Sequence, residues 1–218
     1  MSMGERAEET RYQRLQPFQD HMLKCYYGKR GIAEDYAIFR SKGFAPSWGA
    51  SRQPVSLEGL PPILRAMLVS DGTVTKLLEA YYWEAISVLT LSQGSVVAEA
   101  ELGWLDVKVG DEVIGRRVDL QGSGKKIYAK AYSIIRSSLI PAALLVQLLA
   151  GRLGIGELLR SCGLETFREL LEIGTTTEEN ELEPGDAARG AVYRTYRITM
   201  NGKPAILVTE HFMLATFH

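Results

Sequence analysis

Cysteine is scarce in this chain: Cys25 and Cys162 are the two in 218 residues. So thin a supply excludes the disulfide framework of a small secreted domain, and both read as free thiols. Histidine is nearly as sparse, and His21, His211 and His218 fall at no metal-ligand spacing, so no metal site is read. Neither sign of charge dominates, since 25 Lys and Arg stand against 26 Asp and Glu for a formal net charge of -1. The basic surplus expected of a partner for nucleic acid or an anionic membrane is therefore missing. Long apolar runs are missing too. The longest, "LIPAALLVQLLAG" at 139–151, is interrupted by Pro141 and Gln147 and falls short of the roughly 20 residues a bilayer crossing takes. It reads as a core helix. The opening "MSMGERAEETRYQ" carries acids and no apolar h-region, so no signal peptide is expected and the protein is placed in the cytoplasm.

The usual nucleotide and nucleophile motifs are also absent. No G-x-G-x-x-G dinucleotide fingerprint and no G-x-S-x-G elbow occurs. "GSGKK" at 122–126 resembles a phosphate loop only faintly, because Asp119 stands where its first glycine belongs and Lys126 where Ser or Thr is needed. It is a hairpin turn. No cofactor is read from these patterns.

What is present is a 46% hydrophobic chain, long enough for one sizeable core. Residues 1–60 are polar, aromatic-rich and irregular, with a short helix expected at about Glu8 to Cys25 and a loop at 45–54. They form an N-terminal extension to a functional domain at 61–218. In that domain "LPPILRAMLVSDGTVTKLLEAYY" predicts two helices about an Asp71-Gly72 turn, the second capped by the Thr73 side chain. Strands are expected at about 85–91, 95–101, 112–121 and 126–135, with Gly-Ser-Gly at 122–124 closing a hairpin. Helical pieces follow at 141–150, 156–162 and 165–172, with Gly151 and Gly163 at the stops of the first two. The acidic stretch 175–190 reads as a solvated connection. A last pair of strands, 191–200 and 204–214, is joined by Asn201-Gly202, a strong hairpin signal. Hairpins with helices grouped between them give an α+β class, an antiparallel β-sheet with helices packed on it.

Two charged residues stand out because strand alternation places each among apolar neighbours. Glu210 shares a face with Ile206, Val208 and Phe212; Arg116 shares one with Ile114, Val118 and Leu120, whereas Arg117 points the other way. A lone buried charge costs several kcal/mol, about enough that such groups are normally paired or face a cavity. One reading is a structural Glu210-Arg116 ion pair or a wet sheet face. The other is a pocket floor on which a guanidinium grips a substrate carboxylate and the glutamate handles protons. "GTVTK" at 72–76 and "GIGELL" at 154–159 each open a helix with small residues, where free backbone N–H groups favour anions. Together with Arg116 they describe a site for a small acidic ligand.

The segments "VSDGTVTKLLE" (69–79), "VIGRRVDLQGSGKKIYAKAYSII" (113–135), "LIPAALLVQLL" (139–149), "GIGELLRSCGLETFREL" (154–170) and "YRTYRITMNGKPAILVTEHFMLATF" (193–217) resemble those of the chorismate pyruvate-lyases. The likeness is to the mycobacterial and archaeal branch, and its order and spacing hold across nearly all of 61–218. The resemblance implies a cofactor-independent carbon-oxygen lyase that makes 4-hydroxybenzoate and pyruvate from chorismate. It implies a chorismate lyase-like fold with two helix-turn flaps, at 61–80 and 141–162, over an internal ligand site. It puts the substrate-binding arginine on Arg116, the active-site glutamate on Glu210, and the amides that hold the ring carboxylate on Val74 and Ile155. The best-known enterobacterial form has Met and Leu at these last two positions, so the pocket wall here has a different shape. Thr75 or Lys76 would meet the pyruvyl carboxylate. The same fold also serves as the effector-binding domain of GntR-type regulators, which makes a non-catalytic sensor of a small acid the alternative reading. Against that stands the absence of a helix-turn-helix pattern in residues 4–31. A lyase for a related chorismate-like acid is a third.

Overall fold

The computed structural model describes residues 59–99, 101–151, 153–176 and 190–217. The helix expected near Glu8 to Cys25, the 45–54 loop and most of the acidic connection lie outside them. Two helices come first, α1 (Pro62–Val69) and α2 (Val74–Tyr82), followed by strands β1 (Ser87–Val97), β2 (Glu112–Gln121) and β3 (Ile127–Ile135). Helices α3 (Ala142–Leu149) and α4 (Ile155–Ser161) precede β4 (Thr166–Thr176), β5 (Ala191–Met200) and β6 (Lys203–Met213). The strands form one antiparallel sheet in the order β1-β2-β3-β6-β5-β4. The fold is α+β, as the hairpin pattern predicts.

Local chemistry explains the boundaries. Pro62 occupies the first turn of α1, where its missing N–H costs nothing. Asn201 and Gly202 both take positive φ, 49° and 73°, which a two-residue turn between twisted strands requires. Thr73 is the N-cap of α2 as predicted, but its side chain makes no capping bond. Its hydroxyl is turned toward α4 instead, so close that a Cβ on Gly156 would stand 2.9 Å from it.

Two strand expectations need correction. The separate strands at 85–91 and 95–101 are one edge strand, β1, in which a bulge takes up Leu91 and the polar Ser92-Gln93-Gly94 stretch pairs in register with β2. The helix expected at 165–172 is β4. Its Arg-Glu-Leu-Leu-Glu run favours helix locally, but pairing with β5 decides otherwise. Leu170 and Leu171 pack into clusters on opposite sides of the sheet, and a bulge at Leu171 breaks the register, so the polar-apolar alternation of a strand is hidden.

One face of the sheet carries the four described helices and a gap between them. At one end Leu120, Ala129, Val192 and Phe212 pack under α1 and α2, against Leu64, Met67 and Leu78. At the other, Ile114, Ile135, Ile198 and Ile206 pack under α3 and α4, against Leu144, Leu148 and Leu158. Each fully buried leucine contributes about 1.5–3 kcal/mol, so the two clusters hold the helix pairs firmly in place. Between them the same face presents Arg116, Ala131, Ser133, Arg194, Tyr196 and Glu210. Small and charged side chains cannot fill that space, and a cavity remains.

Candidate active site

The cavity has an empty volume of about 540 Å³, its open mouth included, and Arg116, Glu210, Val74, Thr75 and Ile155 all line it. The structure thus brings together five of the six residues expected at the site. Lys76 does not line it: its ammonium lies on the outer surface of α2, 2.7 Å from Glu79.

Arg116 is 1% exposed. Its Nη2 donates to Thr90 Oγ1 at 3.1 Å and to the carbonyl of Leu153 at 2.9 Å, with a longer bond of 3.4 Å to that of Gly151. Thr90 in turn donates to the Gly151 carbonyl at 2.7 Å, so the α3-α4 connection is tied down on β1 and β2. Among the described residues no carboxylate pairs with Arg116, and its Nε has no acceptor. Burial therefore pushes its pKa below the usual arginine value with nothing to offset it. A buried guanidinium with no carboxylate partner at a cavity wall is a candidate site for an anion.

Glu210 is paired, but not with Arg116. Its Oε2 accepts from Arg194 Nε at 2.8 Å, and its Oε1 from the Tyr196 hydroxyl at 3.1 Å. Arg194 is the neighbour of Glu210 across the β5-β6 ladder, whereas Arg116 is two strands away. Adjacency in the sheet selects the partner. Burial opposes the charge on Arg194, and the Glu210 carboxylate outweighs it, holding that guanidinium above its ordinary pKa. Arg194 Nη1 donates to the carbonyls of Met67 and Ser70 at 2.5 and 2.7 Å, where α1 ends and its dipole favours a cation. The Tyr196 phenol is pushed well above the tyrosine range by burial and then by the Glu210 charge, which keeps its proton available as a hydrogen-bond donor.

Neither Arg194 nor Tyr196 was singled out from sequence, yet the signal was there. Val192, Arg194, Tyr196 and Ile198 alternate as Ile114, Arg116, Val118 and Leu120 do. Arg168, a further lining residue, was hidden by the helical reading of its strand.

At the helical side of the cavity neither N-cap, Thr73 or Gly154, supplies a capping side-chain oxygen. The first-turn amides, Val74 and Ile155 included, are thus without the acceptor a capping residue would bring. Together the walls offer two guanidiniums, Arg116 and Arg168, that no carboxylate of the described residues pairs, a doubly held carboxylate and amide donors. Such a constellation has the chemistry to receive a small carboxylate-bearing molecule and to set an acceptor oxygen against it.

Solved structures share this architecture. The effector domain of PhnF from Mycobacterium smegmatis superposes with a TM-score of 0.52 at 16% identity, covering 74% of this chain and 91% of that one. PhnF itself gives 0.56 at 14% identity, covering 94% and 96%. At such identities the likeness establishes the fold alone. The sequence goes further: the family model "Chorismate pyruvate-lyase Rv2949c-like" matches residues 68–217, and the chain belongs to that family. The chorismate pyruvate-lyase of Mycobacterium tuberculosis (strain H37Rv) is 26% identical over 162 residues, 71% of this chain and 81% of that protein. That of Mycobacterium leprae (strain TN) is 28% identical over 159 residues, 71% and 75%. Among the described residues no helix is long and apolar enough to cross a membrane.

Proposed function

We propose that the protein is a chorismate pyruvate-lyase that eliminates pyruvate from chorismate to leave 4-hydroxybenzoate. The observation that carries this reading is the pairing, across one cavity, of an unpaired buried guanidinium, Arg116, with a carboxylate held at both oxygens, Glu210. In the reaction the C3–O bond breaks, the proton at C4 leaves, and the ring becomes aromatic; the enolpyruvate that departs takes up a proton as pyruvate. Aromatisation supplies the driving force internally. The protein's work is placement and charge stabilisation.

Arg116 and the amides of Val74 and Ile155 fix the ring carboxylate. Glu210, with Arg194 and Tyr196 holding its oxygens in place, receives the 4-hydroxyl and assists departure of the C4 proton. The α1-α2 and α3-α4 segments act as flaps that admit substrate and then exclude water, with Thr75 on the inner wall.

A second reading is a sensor of a small acid that uses the same pocket without turnover, as the GntR-like fold allows, or a lyase for a related acid. The discriminating experiment incubates the full chain with chorismate, without added metal or cofactor, and follows both products by chromatography, with Arg116→Ala alongside. Equimolar 4-hydroxybenzoate and pyruvate, lost in the variant, is the expected result. Binding of chorismate without turnover would replace the lyase by the sensor.

A further inference from the structure

Chorismate carries two carboxylates, and the cavity wall holds two guanidinium groups that no carboxylate of the described residues neutralises, Arg116 and Arg168. Arg194 and Glu210 cancel one another. Along the sheet, Arg116 on β2 enters two strands to one side of Glu210 and Arg168 on β4 two strands to the other. Each offset is about 10 Å of backbone, which long side chains converging on one cavity can close. The cross-strand partner of Arg168 is Ile198, which packs under the helices on the same face as Tyr196 and Glu210, so Arg168 points toward the cavity side of the sheet.

The side chain is also held in place. Its Nη1 donates to the backbone carbonyl of Asp71, in the α1-α2 turn. Its Nη2 lies beside Gly156, where a Cβ would stand 3.1 Å from it, and its Nε is buried without an acceptor. Lys76, the cation expected from sequence to serve the pyruvyl end, is outside the cavity and bound to Glu79.

Resting on the lyase reading, we propose that Arg168 receives the enolpyruvyl carboxylate. Chorismate then lies between two guanidinium anchors, ring carboxylate on Arg116 and side-chain carboxylate on Arg168, with its 4-hydroxyl region at Glu210. Arg168 thereby distinguishes the dianionic substrate from the monoanionic product, which has only the ring carboxylate. It lies between the two helix N-termini and lines the adjoining outer pocket as well, so it also meets the incoming dianion at the seam.

The test uses steady-state turnover of chorismate and equilibrium binding of 4-hydroxybenzoate, on the unmodified chain, Arg168→Gln, Arg168→Lys and Arg116→Ala. Glutamine keeps a donor for the Asp71 carbonyl and removes the charge. It is expected to raise KM for chorismate roughly 10- to 100-fold while changing 4-hydroxybenzoate affinity by less than about twofold. Lysine should recover most of the loss, and Arg116→Ala should weaken both ligands. Equal weakening of both ligands by the Arg168 variants would reduce Arg168 to a latch on the Asp71 turn; no effect on either would remove it from the site. In both cases turnover by the unmodified chain would leave the lyase reading standing. No turnover by the unmodified chain would overturn the lyase and this assignment together.

Discussion

Arg194 Nε lies 2.8 Å from Glu210 Oε2, and the same guanidinium holds the carbonyls of Met67 and Ser70 where α1 ends. One buried cation thus ties the proposed catalytic carboxylate to the C-terminal end of α1. Breaking such a pair strands a charge in the core, so Arg194→Met is expected to cost about 3–5 kcal/mol in urea unfolding. Replacing both residues by methionine should return most of that stability and no turnover. Glu210→Gln should stay folded yet lose roughly 10²- to 10⁴-fold in kcat. Near-normal turnover in that variant would remove Glu210 from the mechanism.

Gly156→Ala probes the seam between the N-termini of α2 and α4. Its Cβ would meet Thr73 Oγ1 at 2.9 Å, Arg168 Nη2 at 3.1 Å and Thr73 Cγ2 at 3.2 Å. Crowding of this kind costs about 1–3 kcal/mol, and alanine's better helix propensity returns nearly 1. Thermal stability should therefore change little, while kcat/KM for chorismate falls as the N-termini of α2 and α4 are pushed apart. Unchanged kinetics would show that their close approach has no part in turnover.

Tyr82 and Tyr128 stack at 4.0 Å between centroids, one hydroxyl on the Thr216 carbonyl and the other on Glu84. Burial first pushes both phenols up to about 12, above the usual value near 10. The folded state then keeps protons that the unfolded chain releases, so stability is full below pH about 10 and declines as pH rises toward about 12. Urea midpoints measured from about pH 9 to about pH 11.5 should fall, and fall less steeply when both tyrosines are replaced by phenylalanine. An identical slope in that variant would assign the alkaline loss to other groups.

The two residues that alternation singled out, Arg116 and Glu210, do share a cavity wall, because two-residue periodicity and the cost of burying charge are local facts about a strand. The same reasoning, applied to 191–200, would have reached Arg194. Arg168 was out of reach, since its neighbours favour helix locally and only pairing with β5 makes them a strand. The partner of Glu210 was likewise out of reach: two strands with clear patterns do not reveal that β5, and not β2, lies beside β6.

By itself the sequence determined the α+β class, the hairpin at Asn201-Gly202, the stops at Gly151 and Gly163, and that Arg116 and Glu210 face inward. Each rests on the preferences of a few consecutive residues: positive φ tolerated by glycine or asparagine, or a side chain every second position. Tertiary structure decided what those inward charges meet. Strand order set Arg194 against Glu210, packing left Ala131 and Ser133 too small to fill the sheet's middle, and chain tracing brought the turn after α1 onto Arg168. Such outcomes depend on contacts between residues some 16 to 97 positions apart, whose strength is set by adjacency in space.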